Sequence, residues 1–131
     1  RLRAPVYATR FAISLLETRR LSEPGAPAVE LIEVAPGRRI GVGPFEIDYV
    51  PVAHSIPESN ALAIRTPAGL VLHTGDWKLD DTPVIGDPTS EAVFRALGDE
   101  GVLALVGDST NVVREGRSPS ESDVAKRLAE L

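Results

Sequence analysis

Three apolar, strand-like segments of this chain each end in a short run of polar, chemically capable residues. His54 follows a segment of alternating apolar residues, Asp76 follows the second strand of a predicted hairpin, and Asp108 follows the continuous apolar run 102–106. Ligand and catalytic groups tend to lie on loops that a rigid scaffold holds in place. The pattern therefore predicts a sheet that brings these three residues together at one edge.

Periodicity and turn residues predict short strands and helices along the chain. The predicted elements are a helix that Thr9 caps and that runs to about Arg20, strands at 29–34, 45–50, 60–66 and 70–73, a short helix at 91–97, a strand at 101–106 and a last helix after Ser120. Pro67–Gly69 predicts the turn of a hairpin. Ser120 with Asp123 is typical of a helix cap. The unbroken apolar run 101–106 is typical of a strand buried on both faces.

Composition excludes several classes of protein and site. The 131 residues suffice for about one domain, and a hydrophobic content of 43% is ordinary for a chain that builds a core. The absence of cysteine excludes disulfides and thiolate zinc sites, and it fits a reducing compartment. A net charge of −5 gives no support to a broad basic surface for nucleic acid. No apolar run approaches the roughly 18 residues of a membrane span.

His54 and Asp76 are residues of the types that bind divalent metals such as zinc. Each also has an ordinary interpretation, because a lone histidine is more often structural and an aspartate after a strand is often a turn former. Catalytic zinc sites usually have three or more protein ligands. The two residues alone therefore leave both interpretations open. We expect His73, inside the hairpin, to pack or to form a hydrogen bond rather than to bind metal.

Other polar residues near these positions are candidates for supporting roles. Lys78 could contact a phosphate as a point charge, or it could be a solvated lysine. The run Asp108–Asn111 could orient a metal-bound water or a histidine. The same run could instead satisfy a turn or a helix N-terminus, since all four are capping residues.

Together these segments resemble the β-CASP nucleases of the ribonuclease J family, within the metallo-β-lactamase superfamily. The segment 54–59 (HSIPES) resembles the third metal motif of that family, 74–78 (TGDWK) the fourth, and 108–111 (DSTN) the first β-CASP motif. The segment 116–121 continues that motif in the manner of the family, and the opening 5–9 (PVYAT) is similar as well. The resemblance covers nearly the whole chain, with three motifs in the family's order.

The resemblance implies a fold and a site. The expected fold is of class α/β, a metallo-β-lactamase-like αββα sandwich present in part. Residues 1–100 would form the C-terminal-side portion of its core, and 101–131 the start of a β-CASP domain. His54 would bind one metal ion and Asp76 would bridge two. Asp108 would act from outside the ligand set, by orienting groups or by helping proton transfer.

An activity is implied as well. The parent protein would be a two-metal ribonuclease with zinc as the expected metal and manganese as the alternative. It would act as a 5′-to-3′ exonuclease and an endonuclease in RNA decay and rRNA processing. Ser55, Lys78 and Ser109 would have supporting roles. The expected partners are RNA and further copies of the full-length protein, with no membrane, in the cytoplasm.

The HxHxDH motif of the family is missing, because the chain contains only 2 histidines. A chain that begins with Arg1 rather than Met favours a fragment whose missing motif lies upstream. The alternative is a degenerate homologue that has lost catalysis. Two other classes stay open: a different hydrolase of the superfamily, such as a lactonase or thioesterase, and a non-catalytic RNA-binding module.

Overall fold

The computed structural model describes residues 4–131, which form two sheets and three helices. The elements in chain order are β1 (Val6–Ala8), α1 (Arg10–Ser22), β2 (Leu31–Glu33), β3 (Arg39–Val42), β4 (Phe45–Pro51), β5 (Asn60–Thr66), β6 (Gly69–His73), α2 (Glu91–Glu100), β7 (Val102–Val106) and α3 (Glu121–Ala129). The expected α/β class is confirmed. None of the described helices is both long and apolar enough to cross a membrane.

The larger sheet has five strands in the order β3-β4-β5-β6-β7. The first four form an antiparallel meander, in which two-residue turns join β3 to β4 and β5 to β6, and the loop 52–59 joins β4 to β5. The hairpin β5–β6 has the turn that its Pro and Gly residues predicted. Strand β7 then pairs with β6 in parallel, and the chain between them contains α2. A parallel pair needs such a crossover, and its two strands end at the same edge of the sheet.

The core lies between one face of this sheet and α2. Strand residues alternate between the two faces, so Ala61 and Ala63 of β5 point the same way, and both are fully buried. They cluster with Leu97 of α2 and with apolar residues of the neighbouring strands. Trp77 and Phe94 pack against this cluster with ring centroids 5.4 Å apart. Small residues in β5 therefore leave room for the helix and the aromatic pair on this face.

Strand β7 is the edge strand of the sheet, and the prediction of a strand buried on both faces was wrong for this structure. The side chains of Leu103 and Leu105 are 64% and 65% exposed. Strand β6 pairs with one edge of β7, no strand within residues 4–131 pairs with the other, and these residues leave most of the side chains of β7 uncovered. Its apolar run indicates a strand suited to burial, and the described residues cover it only in part.

Helix α1 begins at Arg10, directly after Thr9 as predicted, but the Thr9 side chain makes no capping hydrogen bond. The carboxylate of Glu58 accepts a hydrogen bond from the Phe11 amide instead, at 2.8 Å. An acidic group is favourable at this end of a helix because the free N–H groups there carry partial positive charge. Glu58 has a left-handed backbone, with φ of 57°. The helix is thus anchored to the loop that follows His54.

A charge network ties the sheet to the end of α2. Arg65 of β5 donates to both oxygens of Glu100, at 2.5 and 2.6 Å, and also to Asp48 of β4 at 2.6 Å. Arg39 of β3 donates to the same aspartate at 2.5 and 2.9 Å. The Arg39 hydrogen bonds, followed by those from Arg65, hold the pKa of the Asp48 carboxyl below its usual range, against the opposing effect of its burial. Three strands and a helix therefore meet at two carboxylates and two guanidinium groups.

We expect Asp48→Asn to lower the free energy of unfolding at pH 7 by roughly 1–3 kcal/mol, because two arginines lose a charged acceptor. A depressed carboxyl pKa stabilises the folded state above the unfolded pKa, and that stability is lost as the pH falls through the folded value. The difference between the variant and the unchanged chain should therefore shrink below about pH 4. Urea unfolding at pH 7 and pH 3 measures it, with exposed Asp87→Asn as the matched control. An equal difference at both pH values would contradict the role given to Asp48.

Candidate functional site

The ends of β6 and β7 are joined by the side chain of Thr74. The Thr74 amide donates to the carbonyl of Val106 at 2.9 Å, which extends the parallel pairing by one residue. The Thr74 hydroxyl accepts from the amide of Asp108 at 3.0 Å and donates to the carbonyl of Gly75 at 2.8 Å. Thr74 is only 3% exposed, so water does not compete for these bonds. The segments that contain Asp76 and Asp108 are therefore neighbours at one edge of the sheet.

The loop that contains His54 is joined to the Asp76 segment on both of its sides. Ser59 donates its hydroxyl to the carbonyl of Asp76 at 3.2 Å. Before His54, the carbonyl of Ala53 accepts from the Lys78 amide at 3.0 Å. The hydroxyl of buried Thr89 bridges the same two residues, since it accepts from the Ala53 amide at 2.7 Å and donates to the Lys78 carbonyl at 2.9 Å. These bonds bring the three predicted segments to one place.

Thr89 was not among the residues that the sequence predicted for the site. It lies in the loop-like stretch between β6 and α2, outside the three motifs, 36 positions from Ala53. Its only sequence feature is its place just before Ser90, the residue that precedes α2. A threonine at that position is typical of a helix start. No local pattern indicates that its hydroxyl reaches a distant backbone instead.

Gly75 allows the sharp turn that precedes Asp76. Its φ is +60°, a backbone conformation that glycine adopts at no steric cost. A Cβ atom there would lie 2.9 Å from the carbonyl oxygen of Asn60. The Gly75 amide donates to Nδ1 of His73 at 3.0 Å, so that imidazole nitrogen accepts a hydrogen bond from the turn. This is one of the two roles predicted for His73.

Asp108 organises the turn that follows β7. Its Oδ1 accepts hydrogen bonds from both the amide and the hydroxyl of Thr110. The Thr110 hydroxyl and then its amide hold the pKa of the Asp108 carboxyl below its usual range, and the charge of His54 adds a smaller effect in the same direction. The turn is extended by the Val112 amide, which donates to the carbonyl of Ser109 at 3.1 Å. Asp108 thus has the turn-forming role that was the ordinary interpretation, and its chemical role stays a prediction.

Lys78 is held by protein groups. Its Nζ donates to the carbonyl of Pro119 at 3.1 Å and pairs with Oδ2 of Asp80 at 3.0 Å. The side chain is 28% exposed. Near His54, the Ser55 hydroxyl lies 3.4 Å from the imidazole Nδ1, a long contact. The supporting roles of Ser55, Lys78 and Ser109 stay predictions.

The donors for a metal ion are right in kind but incomplete in number. Imidazole and carboxylate are zinc and manganese ligands, and His54 and Asp76 supply one of each. Within residues 4–131, no three or more His, Asp or Glu side chains lie close enough together to hold a metal ion. A catalytic zinc site has three protein ligands with a fourth position open. The described residues therefore do not form a metal site by themselves.

Comparison with known proteins gives the family. No protein-family model matches the chain. Ribonuclease J of Sinorhizobium meliloti is 51% identical to it over 130 residues, which are 99% of this chain and 23% of that protein. Ribonuclease J of Corynebacterium glutamicum is 46% identical over 127 residues, 97% of this chain and 17% of the relative. This chain belongs to the ribonuclease J family. Ribonuclease J of Thermus thermophilus, 43% identical over 127 residues, is likewise matched over 95% of this chain and 22% of its own length.

The chain thus spans 17–23% of the length of these curated relatives. Among solved structures, a protein of unknown function from Enterococcus faecalis superposes on 97% of this chain and 33% of its own, with a TM-score of 0.71 and 22% identity. That likeness concerns the fold alone. The chain has the expected α/β class of fold, and its place within a metallo-β-lactamase-like sandwich stays a prediction from the resemblance.

We expect Gly75→Ala to lower the free energy of unfolding by roughly 1–3 kcal/mol, because alanine is strained at this φ, and its Cβ would also press on the Asn60 carbonyl. Gly98→Ala is the matched control, since Gly98 lies in α2 with open space around its Cα. There the same change should stabilise by roughly 0.5–1 kcal/mol. Chemical denaturation of both variants tests this. Equal effects at the two positions would show that the Gly75 turn is not constrained.

Proposed function

We propose that this chain is a segment of a metal-dependent ribonuclease that hydrolyses RNA phosphodiester bonds. The observation that carries the proposal is the 51% identity to a ribonuclease J over 99% of the chain. The matched stretch covers 99% of the chain and includes the segments of His54, Asp76 and Asp108. Independent support comes from the hydrogen bonds of Thr74, Ser59 and Thr89, which hold these three segments together at one edge of the sheet.

In this proposal His54 binds one metal ion and Asp76 bridges two. The ions are zinc, with manganese as the alternative, and the remaining ligands belong to parts of the protein outside this chain. When bound, a pair of such ions polarises a phosphoryl oxygen and activates water. The chain's own contribution is to hold the His54 imidazole and the Asp76 carboxylate in place. It does so through the turn at Gly75 and through the hydrogen bonds of Ala53 with Lys78 and Thr89. Asp108 orients groups near the site or helps proton transfer.

The finer features follow the family. The parent protein would act as a 5′-to-3′ exonuclease and an endonuclease in RNA decay and rRNA processing, in the cytoplasm and as a homo-oligomer. Residues 1–100 would belong to the metallo-β-lactamase-like portion, and 101–131 would begin a β-CASP domain. Strand β7 lies within the second range and pairs with the sheet of the first. The two portions would therefore share one sheet where they meet.

A chimera tests the proposal. We would replace the matching segment of Sinorhizobium meliloti ribonuclease J with this chain and assay cleavage of a 5′-monophosphorylated RNA together with bound zinc and manganese. The chimera should cleave RNA, and Asp76→Ala should lower both the metal content and the rate, the latter by at least roughly 100-fold. Exposed Asp87→Ala should change neither.

Three results would contradict the proposal. One is an inactive chimera that folds while the unmodified relative is active. Another is an Asp76→Ala chimera with unchanged metal content and rate, which would favour a non-catalytic RNA-binding module. The last is hydrolysis of a lactone or thioester in place of RNA, which would favour another hydrolase of the superfamily.

The isolated 131-residue chain should bind zinc weakly and should not cleave RNA. The physical reason is that two ligands leave most of the coordination shell of the ion to water. Calorimetric titration with zinc and an RNA cleavage assay measure both properties. Micromolar zinc affinity together with RNA cleavage by this chain alone would overturn the view that its metal site needs further ligands.

A further inference from the structure

Asp80 is a buried carboxylate at the junction between the Asp76 segment and α3. Its side chain is 0% exposed. Oδ2 accepts from the amide of Glu121, the first residue of α3, at 2.9 Å, and pairs with Nζ of Lys78 at 3.0 Å. Oδ1 accepts from the amide of Thr82 at 3.0 Å. A buried carboxylate is retained when it is fully paired in this way, so Asp80 joins its own segment, residues 78–82, to the start of α3.

Further contacts connect the same two segments. The Ser122 hydroxyl donates to the carbonyl of Thr82 at 2.7 Å, and the Val84 amide donates to the carboxylate of Glu121 at 3.4 Å. The Lys78 ammonium also reaches the carbonyl of Pro119. We call these contacts, with those of Asp80, the Asp80 latch. The contacts of Asp80 with Lys78 and Thr82 lie within residues 78–84, and the others connect that segment with residues 119–122.

Helix α3 does not need Asp80 in order to begin. Ser120 caps it, since its hydroxyl accepts from the Asp123 amide at 3.1 Å. Glu121 and Asp123 already place acidic groups in the first turn, where they favour the helix dipole. The extra acceptor from Asp80 therefore adds docking of the helix rather than its initiation.

The latch lies beside the candidate site. Asp80 follows Asp76 by four positions in the chain. An open cleft is lined by His54, Ser55, Lys78 and two residues of α3, Glu121 and Val124. Helix α3 is thus one wall of the cleft next to the imidazole. The position of that wall depends on the contacts that dock the helix.

We propose that Asp80 is a positioning residue of the ribonuclease site: the Asp80 latch holds α3 at the distance from His54 that admits the RNA substrate. The inference rests on the proposed function and deepens it. Asp80 does not touch His54, Asp76 or Asp108 through any hydrogen bond or ion pair among the described residues. Loss of the latch should therefore weaken substrate binding more than it slows the chemical step.

The first test uses Asp80→Asn in the chimera described above. The asparagine keeps the shape of the side chain but removes the charge that Lys78 and the Glu121 amide face. We expect KM for RNA to rise roughly tenfold and kcat to change less than about threefold. Ser122→Ala, which removes one latch contact without leaving a charge buried, should raise KM in the same direction by a smaller factor.

Ser120→Ala is the matched control, because it removes the cap of α3 and leaves every latch contact in place. It should lower the stability of the helix without raising KM. A fall in kcat with KM unchanged in Asp80→Asn would overturn the proposal. So would an equal rise of KM in Ser120→Ala, since helix stability rather than docking would then explain the effect. If Asp80→Asn does not fold, an unchanged KM in Ser122→Ala overturns it.

A second test needs no activity and uses the 131-residue chain. The chain has no cysteine, so a spin label on Lys126→Cys in α3 reports on one place only. It should broaden the amide signals of residues 54–56, 58 and 59, and the broadening should weaken in Asp80→Asn but persist in Ser120→Ala. Unchanged broadening in Asp80→Asn would overturn the latch. An inactive chimera with the expected broadening would count against the proposed function and leave the latch supported.

Discussion

The buried hydroxyl of Thr74 is the contact on which the candidate site most depends. A parallel pair of strands aligns two chain ends at one edge of a sheet, but it leaves open how the loops beyond them continue. The hydroxyl joins those loops, because it accepts from the Asp108 amide and donates to the Gly75 carbonyl. An unpaired amide at this depth would cost roughly 1–3 kcal/mol. The arrangement around Asp76 therefore relies on a side chain that carries no chemistry of its own.

Supporting hydrogen bonds also hold the loop that contains His54. Ala53 and Lys78 are joined by a backbone hydrogen bond, and the Thr89 hydroxyl satisfies one further group on each of them. The ammonium group of Lys78 pairs with the Asp80 carboxylate and donates to the carbonyl of Pro119. One short segment after Asp76 is thus connected to the sheet, to the loop before His54 and to α3. Rigid placement of functional groups by such supporting contacts is what a pre-organised site requires.

Local patterns in the sequence predicted the local structure well. The hairpin β5–β6 followed from alternation and a Pro-Gly turn, and the cap of α3 followed from Ser120 and Asp123, because these features depend on neighbours within a few residues. Thr89 and the cap that Glu58 gives to α1 were not predicted. Each acts across more than 35 positions, and spacing along a chain carries no information about register between distant segments.

The candidate site, too, could be predicted from the sequence only in part. The convergence of the Asp76 and Asp108 segments could be predicted, because parallel strands end at a common edge. The position of Lys78 could not be predicted. Its ammonium group contacts the Asp80 carboxylate and the Pro119 carbonyl, and only the fold brings Pro119 close to it. The exposure of β7 was also missed. An unbroken apolar run indicates that a strand is suited to burial, but it does not say which part of a protein provides the cover.

That exposed strand has a consequence for the behaviour of the molecule. Within residues 4–131, strand β7 has a row of backbone groups along one edge that pair with no other strand, and its residues Leu103 and Leu105 are exposed. Such an edge is a template on which another strand can add. Within a longer polypeptide, a further strand can pair with this edge of β7 and extend the sheet. In a concentrated solution of this chain alone, edge-to-edge association between copies competes for the same hydrogen bonds.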